Sequence, residues 1–369
     1  MITAHTDVVG SLLRPLALRK ARDDWVAGRL SHAQFKCIED RAVDEAIALQ
    51  EAAGLDVVTD GEMRRLSFQS QMTEAVEGFG ACDIDAFLWG HWHGDGAVGE
   101  RRCDRPSNLG VVGRLMRQRH LAAEEFVYLR GRTSRTAKVT LPSPSLFVNF
   151  WSPERSQSAY ASLEHFLADV VAILRDEVAE LVRLGATYIQ IDAPHYALLL
   201  APETRAFYES RGWTLDLWLS RGIELDNAVM TGFPGVTFAI HVCRGNQESR
   251  WLVEGDYEPI ARPIFQRIDA TRLLLEYDDD RSGSFEPLRH VPDDKMVVLG
   301  LISTKRPQIE PPEDLIRRIT QASRFVPLER LALSPQCGFA SSILGNSLSI
   351  DEERRKLERV CETARRIWG

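Results

Sequence analysis

A chain of 369 residues, 44% hydrophobic and 27% charged, has the make-up of a soluble globular protein with a substantial core. Its net charge of −8 argues against a general nucleic-acid or anionic-membrane surface. No apolar run approaches the ~18–20 residues that span a bilayer, and the first residues lack a signal-peptide pattern. Six cysteines scattered over so long a chain are no disulfide framework, so a reducing cytoplasm is expected.

In chain order, Asp7-Val8-Val9-Gly10-Ser11 reads as a first short strand that delivers a Gly-Ser turn. A helical region from about Leu16 to Ala53 is stopped by Gly54. Leu55 to Glu62 is a buried-type strand ending in a polar turn, Asp60-Gly61-Glu62. The stretch that follows is Gly- and Trp-rich around Trp89–Gly96 and charged around Arg101–Arg105, and it reads as an insertion at roughly 81–134. Its His91-x-His93 resembles a metal pair, but in so irregular a loop the ordinary reading is preferred. Regularity resumes with a strand at Thr136–Leu141, a helix at about Gln157–Leu184 and a strand at Thr187–Asp192. A helix at about Thr214–Met230 precedes the run Thr237 to Asn246. Strands at Thr271–Asp278, Met296–Ser303 and Leu331–Gly338 follow, with helices at Pro312–Phe325 and Ser349–Trp368.

These are eight apolar strands, near residues 8, 57, 138, 189, 239, 274, 299 and 333, mostly separated by helical patterns. Such alternation predicts an α/β fold, a single (β/α)8 TIM barrel over residues 1–369 with the insertion after the second strand. In a barrel the chemistry gathers at the C-terminal ends of the strands. Ser11, Glu62, Asp192, His241, Cys243, Glu276 and Cys337 all stand at those ends.

On a strand, side chains alternate, so His241 and Cys243 point the same way. Two thiolates, one imidazole and one carboxylate form a set that tetrahedral Zn2+ accepts, so His241, Cys243, Glu276 and Cys337 are candidate zinc ligands. Outside a metal site, Glu276 would be a strand-end carboxylate paired with Arg281 or Lys305, and Cys337 a small buried hydrophobe. A zinc with two thiolates is a poor centre for hydrolysis but holds a further thiol as thiolate at neutral pH. Alkylation of a substrate thiol is the chemistry that follows.

Val9-Gly10-Ser11-Leu12, Asp60-Gly61-Glu62, Ile189-Gln190-Ile191-Asp192-x-Pro194, His241-x-Cys243, Leu275-Glu276 and Ser334-Pro335-Gln336-Cys337-Gly338 together resemble the catalytic barrel of the cobalamin-independent methionine synthase family. The resemblance spans nearly the whole chain. It implies that His241, Cys243, Glu276 and Cys337 bind zinc, that Ser11 holds the carboxylate of homocysteine, and that Glu62 and Asp192 take its ammonium. The expected activity is a methyl transfer to a homocysteine-like thiol, giving methionine. His195 is the candidate proton donor to the leaving group on position alone. The family's two-barrel members use an N-terminal barrel to help bind a folate donor, for which this chain has no room. Ala193 stands where an acidic residue usually follows Asp192. The donor is therefore open: a folate, a methylated corrinoid protein or a small methylated compound. Phe150-Trp151 is a candidate platform for a flat donor. A thiol alkyltransferase of the epoxyalkane:coenzyme M type is the alternative enzyme, with Arg64 or Arg65 for the sulfonate. A non-catalytic zinc-binding barrel subunit is the alternative outside enzymes. A homo-oligomer is compatible with either, and neither a nucleic acid nor a membrane is an expected partner.

Overall fold

The computed structural model describes residues 2–80 and 89–369. Residues 81–88 of the expected insertion, Cys82 among them, lie outside the described residues. The expected first helical region is two helices, α1 (Leu16–Val26) and α2 (His32–Ala53), parted at Gly28, whose φ of 72° few other residues adopt. Ser31 and Gln34 form a capping box that starts α2, and Gly54 in the left-handed region ends it.

Short strands then follow in chain order: β1 (Val57–Val58), β2 (Thr136–Ala137), β3 (Val139–Pro142), β4 (Tyr188–Asp192), β5 (Thr237–Val242), β6 (Arg272–Glu276), β7 (Met296–Ile302) and β8 (Leu331–Pro335). β3 to β8 make a six-stranded sheet in which each strand lies beside its successor, every pair parallel. All six are buried along their full length, which is why they read as mostly apolar runs. Helices α3 (Leu163–Arg183), α4 (Glu258–Arg267) and α5 (Pro312–Ala322) cross between neighbouring strands, and α6 (Ile350–Trp368) closes the chain behind its capping box at Ser349. Only short 3₁₀ turns link β6 to β7. The result is a mixed α/β fold.

The start of the chain departs from the expected regular strands. Near residue 8 the ladder is a single parallel bridge, Thr6 to Leu333, with Asp7 N donating to Leu333 O at 3.0 Å. β1 pairs in parallel with β2, and the expected strand 136–141 is split at Lys138, whose amide donates to Val58 O at 2.9 Å. Between the first two segments, side chains take the bonds that a ladder would make. Thr6 Oγ1 donates to Asp56 Oδ2 at 2.8 Å, and Thr59 Oγ1 donates to Gly10 O at 2.6 Å.

Side chains from most of these strands meet in one apolar cluster of Val9, Val57, Tyr188, Ala239, Leu274, Met296, Val298 and Ala332. Beside it lies Asp7, fully buried, bonded to Lys138 Nζ at 2.8 Å, Tyr188 OH at 2.6 Å and Arg272 at 3.2 Å. Burial alone would raise its pKa, but Lys138 and Arg272 hold the carboxyl below the usual range. Removing one member of such a network strands the other charges without partners. Asp7→Ala is expected to lower stability by about 3–5 kcal/mol in denaturant unfolding; a loss within about 0.5 kcal/mol would mean these charges are satisfied elsewhere.

Two antiparallel ribbons lie between β1 and β2. Val76–Phe79 pairs with Val111–Arg117, and Gly90–Trp92 with Arg101–Cys103.

Candidate active site

β5 carries His241 one residue from its end, and Cys243 follows two positions later on the same face. Cys337 lies just past β8. One ligand atom from each of the three lies within 4.8 Å of the others, and all three residues are buried. Cys337 and the His241 imidazole hold the Cys243 thiol well below its ordinary pKa although burial would raise it, and Cys243 and burial push Cys337 up. Burial would lower the His241 pKa, but Cys243, Asp192 and Glu276 raise it. Both His241 ring nitrogens are buried with no hydrogen-bond partner. Two sulfurs and an imidazole converging with unused lone pairs fit a soft divalent ion such as Zn2+.

Glu276 is not brought into that cluster. Its Oε2 accepts from the Arg244 amide at 2.7 Å and its Oε1 from Lys305 Nζ at 3.2 Å. The expected four-ligand set is therefore three residues in this structure, because a buried lysine and a backbone amide occupy the carboxylate. Burial opposes the charged form of Glu276, yet Lys305 and Arg244 hold its pKa below the usual value.

The three ligand candidates open on a cavity that Ser11, Glu62 and Asp192 also line. Asp192 pairs with His241 in the ladder, and burial pushes its carboxyl up to about 7. Gln190 Nε2 donates to its Oδ1 at 2.7 Å. Glu62 has a φ of 54°, an uncommon conformation for a side chain of its size. Its Oε1 accepts from Thr140 Oγ1 at 2.8 Å and lies 3.3 Å from Arg65, while its Oε2 is buried without a partner. A Cβ at Gly10 would stand 2.7 Å from that Oε1, so glycine is needed to seat the carboxylate. Likewise a Cβ at Gly338 would meet Ser11 Oγ at 2.0 Å.

Sequence reasoning missed the clamp behind Glu62. Arg65 is buried, bonded to Glu125 Oε2 at 2.6 Å and to Thr140 Oγ1 at 2.7 Å. Asn246 was also missed. Its Nδ2 donates to Thr304 Oγ1 and Gly338 O, and its Oδ1 is buried without a partner on the cavity wall. Its place three residues beyond Cys243 was the available signal.

His195 is not among the residues lining this cavity. It lines a separate small cavity, its Nε2 2.7 Å from Ser145 Oγ, and burial pushes its pKa down to about 3. Burial without a charged partner disfavours the imidazolium form that a proton donor needs. Phe150 and Trp151 pack among Phe79, Phe147 and Phe166; among the described residues, the aromatic side chains on the main cavity are Phe68 and Trp92.

Residues 2–364 match the family profile described as "Cobalamin-independent synthase, Catalytic domain". The chain belongs to this cobalamin-independent methionine synthase family. The "uncharacterized protein YxjH" of Bacillus subtilis (strain 168) is 33% identical, the match covering 99% of this chain and 94% of that protein. The methionine synthase of Pyrococcus abyssi is 26% identical over 90% of this chain and 85% of its own length. The solved B12-independent methionine synthase from Shewanella sp. W3-18-1, in complex with selenomethionine, is 21% identical with a TM-score of 0.73. That match covers 100% of this chain and 98% of the solved one, and it shows a shared fold. Family membership makes this a methionine synthase-like methyltransferase chain; no helix among its described residues is long and apolar enough to cross a membrane.

Proposed function

We propose that this chain is a zinc-dependent S-methyltransferase acting on homocysteine or a close thiol amino acid, built as a single closed (β/α)8 barrel. The observation that carries the reading is the convergence of His241, Cys243 and Cys337 on a cavity that two carboxylates share. The barrel is supported by the parallel order of β3 to β8, the bridge from Thr6 back to Leu333, and the single apolar cluster inside.

His241, Cys243 and Cys337 would hold the ion, and Glu276 stands close enough to interact with all three electrostatically. A bound Zn2+ would supply the positive charge that keeps an acceptor thiol ionised near neutrality. Glu62 and Asp192 take the acceptor's ammonium, the unpartnered Oε2 of Glu62 being the waiting acceptor. Ser11 and the turn around it take its carboxylate. The acceptor sulfur attacks the donor's methyl carbon, forming S–CH3 as the bond to the donor breaks. The donor is a folate, a methylated corrinoid protein or a small methylated compound.

The charge of the cavity favours an amino acid over coenzyme M. Arg64 turns to Glu39 and Asp40 at 2.6 Å each, and Arg65 is committed to Glu125 and Glu62. Neither cation is left to receive a sulfonate. The test is to assay zinc-loaded protein with homocysteine and with coenzyme M, against a panel of methyl donors and epoxides. Methionine is the expected product; epoxide opening on coenzyme M without methionine would reverse the assignment, and turnover with neither would favour a binding subunit. His195→Gln, which keeps a partner for Ser145, should leave kcat within about threefold, whereas a loss of about 100-fold would return the proton-donor role to it.

A further inference from the structure

Among the described residues, a second gathering of metal-binding side chains lies outside this cavity: His91, His93 and Glu100, one ligand atom from each within 4.8 Å of the others. His91 stands on the ribbon of Gly90–Trp92 and Arg101–Cys103, and His93 and Glu100 flank its end, where Trp92 pairs with Arg101. Alternation along the strand turns Trp92 inward, 1% exposed, onto the wall of the active-site cavity. The same alternation leaves the side chains of His91 and His93 open to solvent, 44% and 36% exposed.

Glu100 faces both rings at once. Its Oε2 is 3.0 Å from His91 Nε2, its Oε1 is 3.6 Å from His93 Nδ1, and the two ring centroids are 4.6 Å apart. An ion pair would need one imidazole only, and two charged imidazoles this close would repel. The arrangement is also held from outside. Arg250 donates to Val98 O at 2.6 Å and Gly99 O at 3.0 Å, and His93 exchanges backbone bonds with Trp251 at 2.8 and 2.9 Å. A Cβ at Gly94 would stand 2.5 Å from Gly99 O, so the glycine lets the turn close and return Glu100 to the histidines.

The geometry points to a second divalent-metal site on the outer face of this ribbon, with His91, His93 and Glu100 as protein ligands and water completing the shell. Two imidazoles and one carboxylate are a donor set that zinc accepts, and the ion would tie the ribbon's two strands together. Since Trp92 sits between the two histidines, the outer ion would fix one wall of the inner cavity.

Untagged protein should be dialysed against Zn2+ alone and the bound metal counted. The expected stoichiometry is about two ions per chain in the wild type, about one in His91→Ala/His93→Ala, about one in Cys337→Ser, and none when the changes are combined. Glu100→Gln should weaken the outer site at least about tenfold. The outer residues are exposed, so the double-histidine variant should unfold at the wild-type denaturant midpoint when both are stripped with chelator. A double-histidine variant that binds as much zinc as the wild type overturns the proposal. If Cys337→Ser instead keeps both ions while the double-histidine variant loses one, the outer site stands and the inner assignment falls.

Discussion

Cys337→Ser is expected to lose the inner zinc and methyl transfer together while the chain still folds. The substitution exchanges a sulfur that sits within 4.8 Å of the His241 and Cys243 ligand atoms for a hydroxyl that does not ionise near neutrality. Two protein ligands remain, too few for tight binding, and inner-site affinity should fall by more than about 100-fold. Methyl transfer loses the charge that keeps the acceptor ionised, a loss of several kcal/mol, and should fall by at least about a thousandfold. Folding should survive because Cys337 follows β8 and is not part of the apolar cluster or the Asp7 network. The checks are metal content, turnover, and unfolding of metal-stripped variant beside metal-stripped wild type. Full metal with full turnover would contradict the assignment.

Glu62→Gln should strike the acceptor's amino group. Thr140 and Arg65 fix one oxygen of Glu62, and the other faces the cavity without a partner. Glutamine keeps the shape but removes the charge, losing roughly 2–3 kcal/mol of charge-assisted bonding. The kcat/KM for homocysteine should fall by about 30- to 100-fold, mostly through KM. A thiol acid lacking the amino group supplies the discriminating control. Wild type should prefer homocysteine over it strongly, and the variant should lose most of that preference. A variant that discriminates as the wild type does would remove Glu62 from ammonium recognition.

The two halves of the sheet differ in how openly the sequence declares them. β4 to β8 are mostly apolar runs, because their strands are buried on both faces. The opening segment carries the same residue types, yet Thr6, Asp56 and Thr59 bond it through side chains, which no apolar pattern reveals. The Gly90–Trp92 ribbon was illegible for a simpler reason: three-residue strands are too short for periodicity. At the site, His241 and Cys243 were legible from the two-residue period, and Cys337 from its place at a strand end. Pattern alone left Glu276 as either a ligand or a partner of Lys305, since only three-dimensional proximity shows which neighbour takes its oxygens. Chain position near Asp192 marked His195, but it says nothing of the enclosure of His195 against Tyr196 and Trp218.

X-ray absorption at the zinc edge addresses the account most directly, using His91→Ala/His93→Ala protein so that only the inner ion is seen. The resting spectrum should fit about two sulfur and one or two nitrogen or oxygen neighbours, and homocysteine should add about one sulfur. A spectrum without sulfur neighbours, or one that homocysteine leaves unchanged, would contradict the claim that His241, Cys243 and Cys337 hold an ion that receives the acceptor thiol.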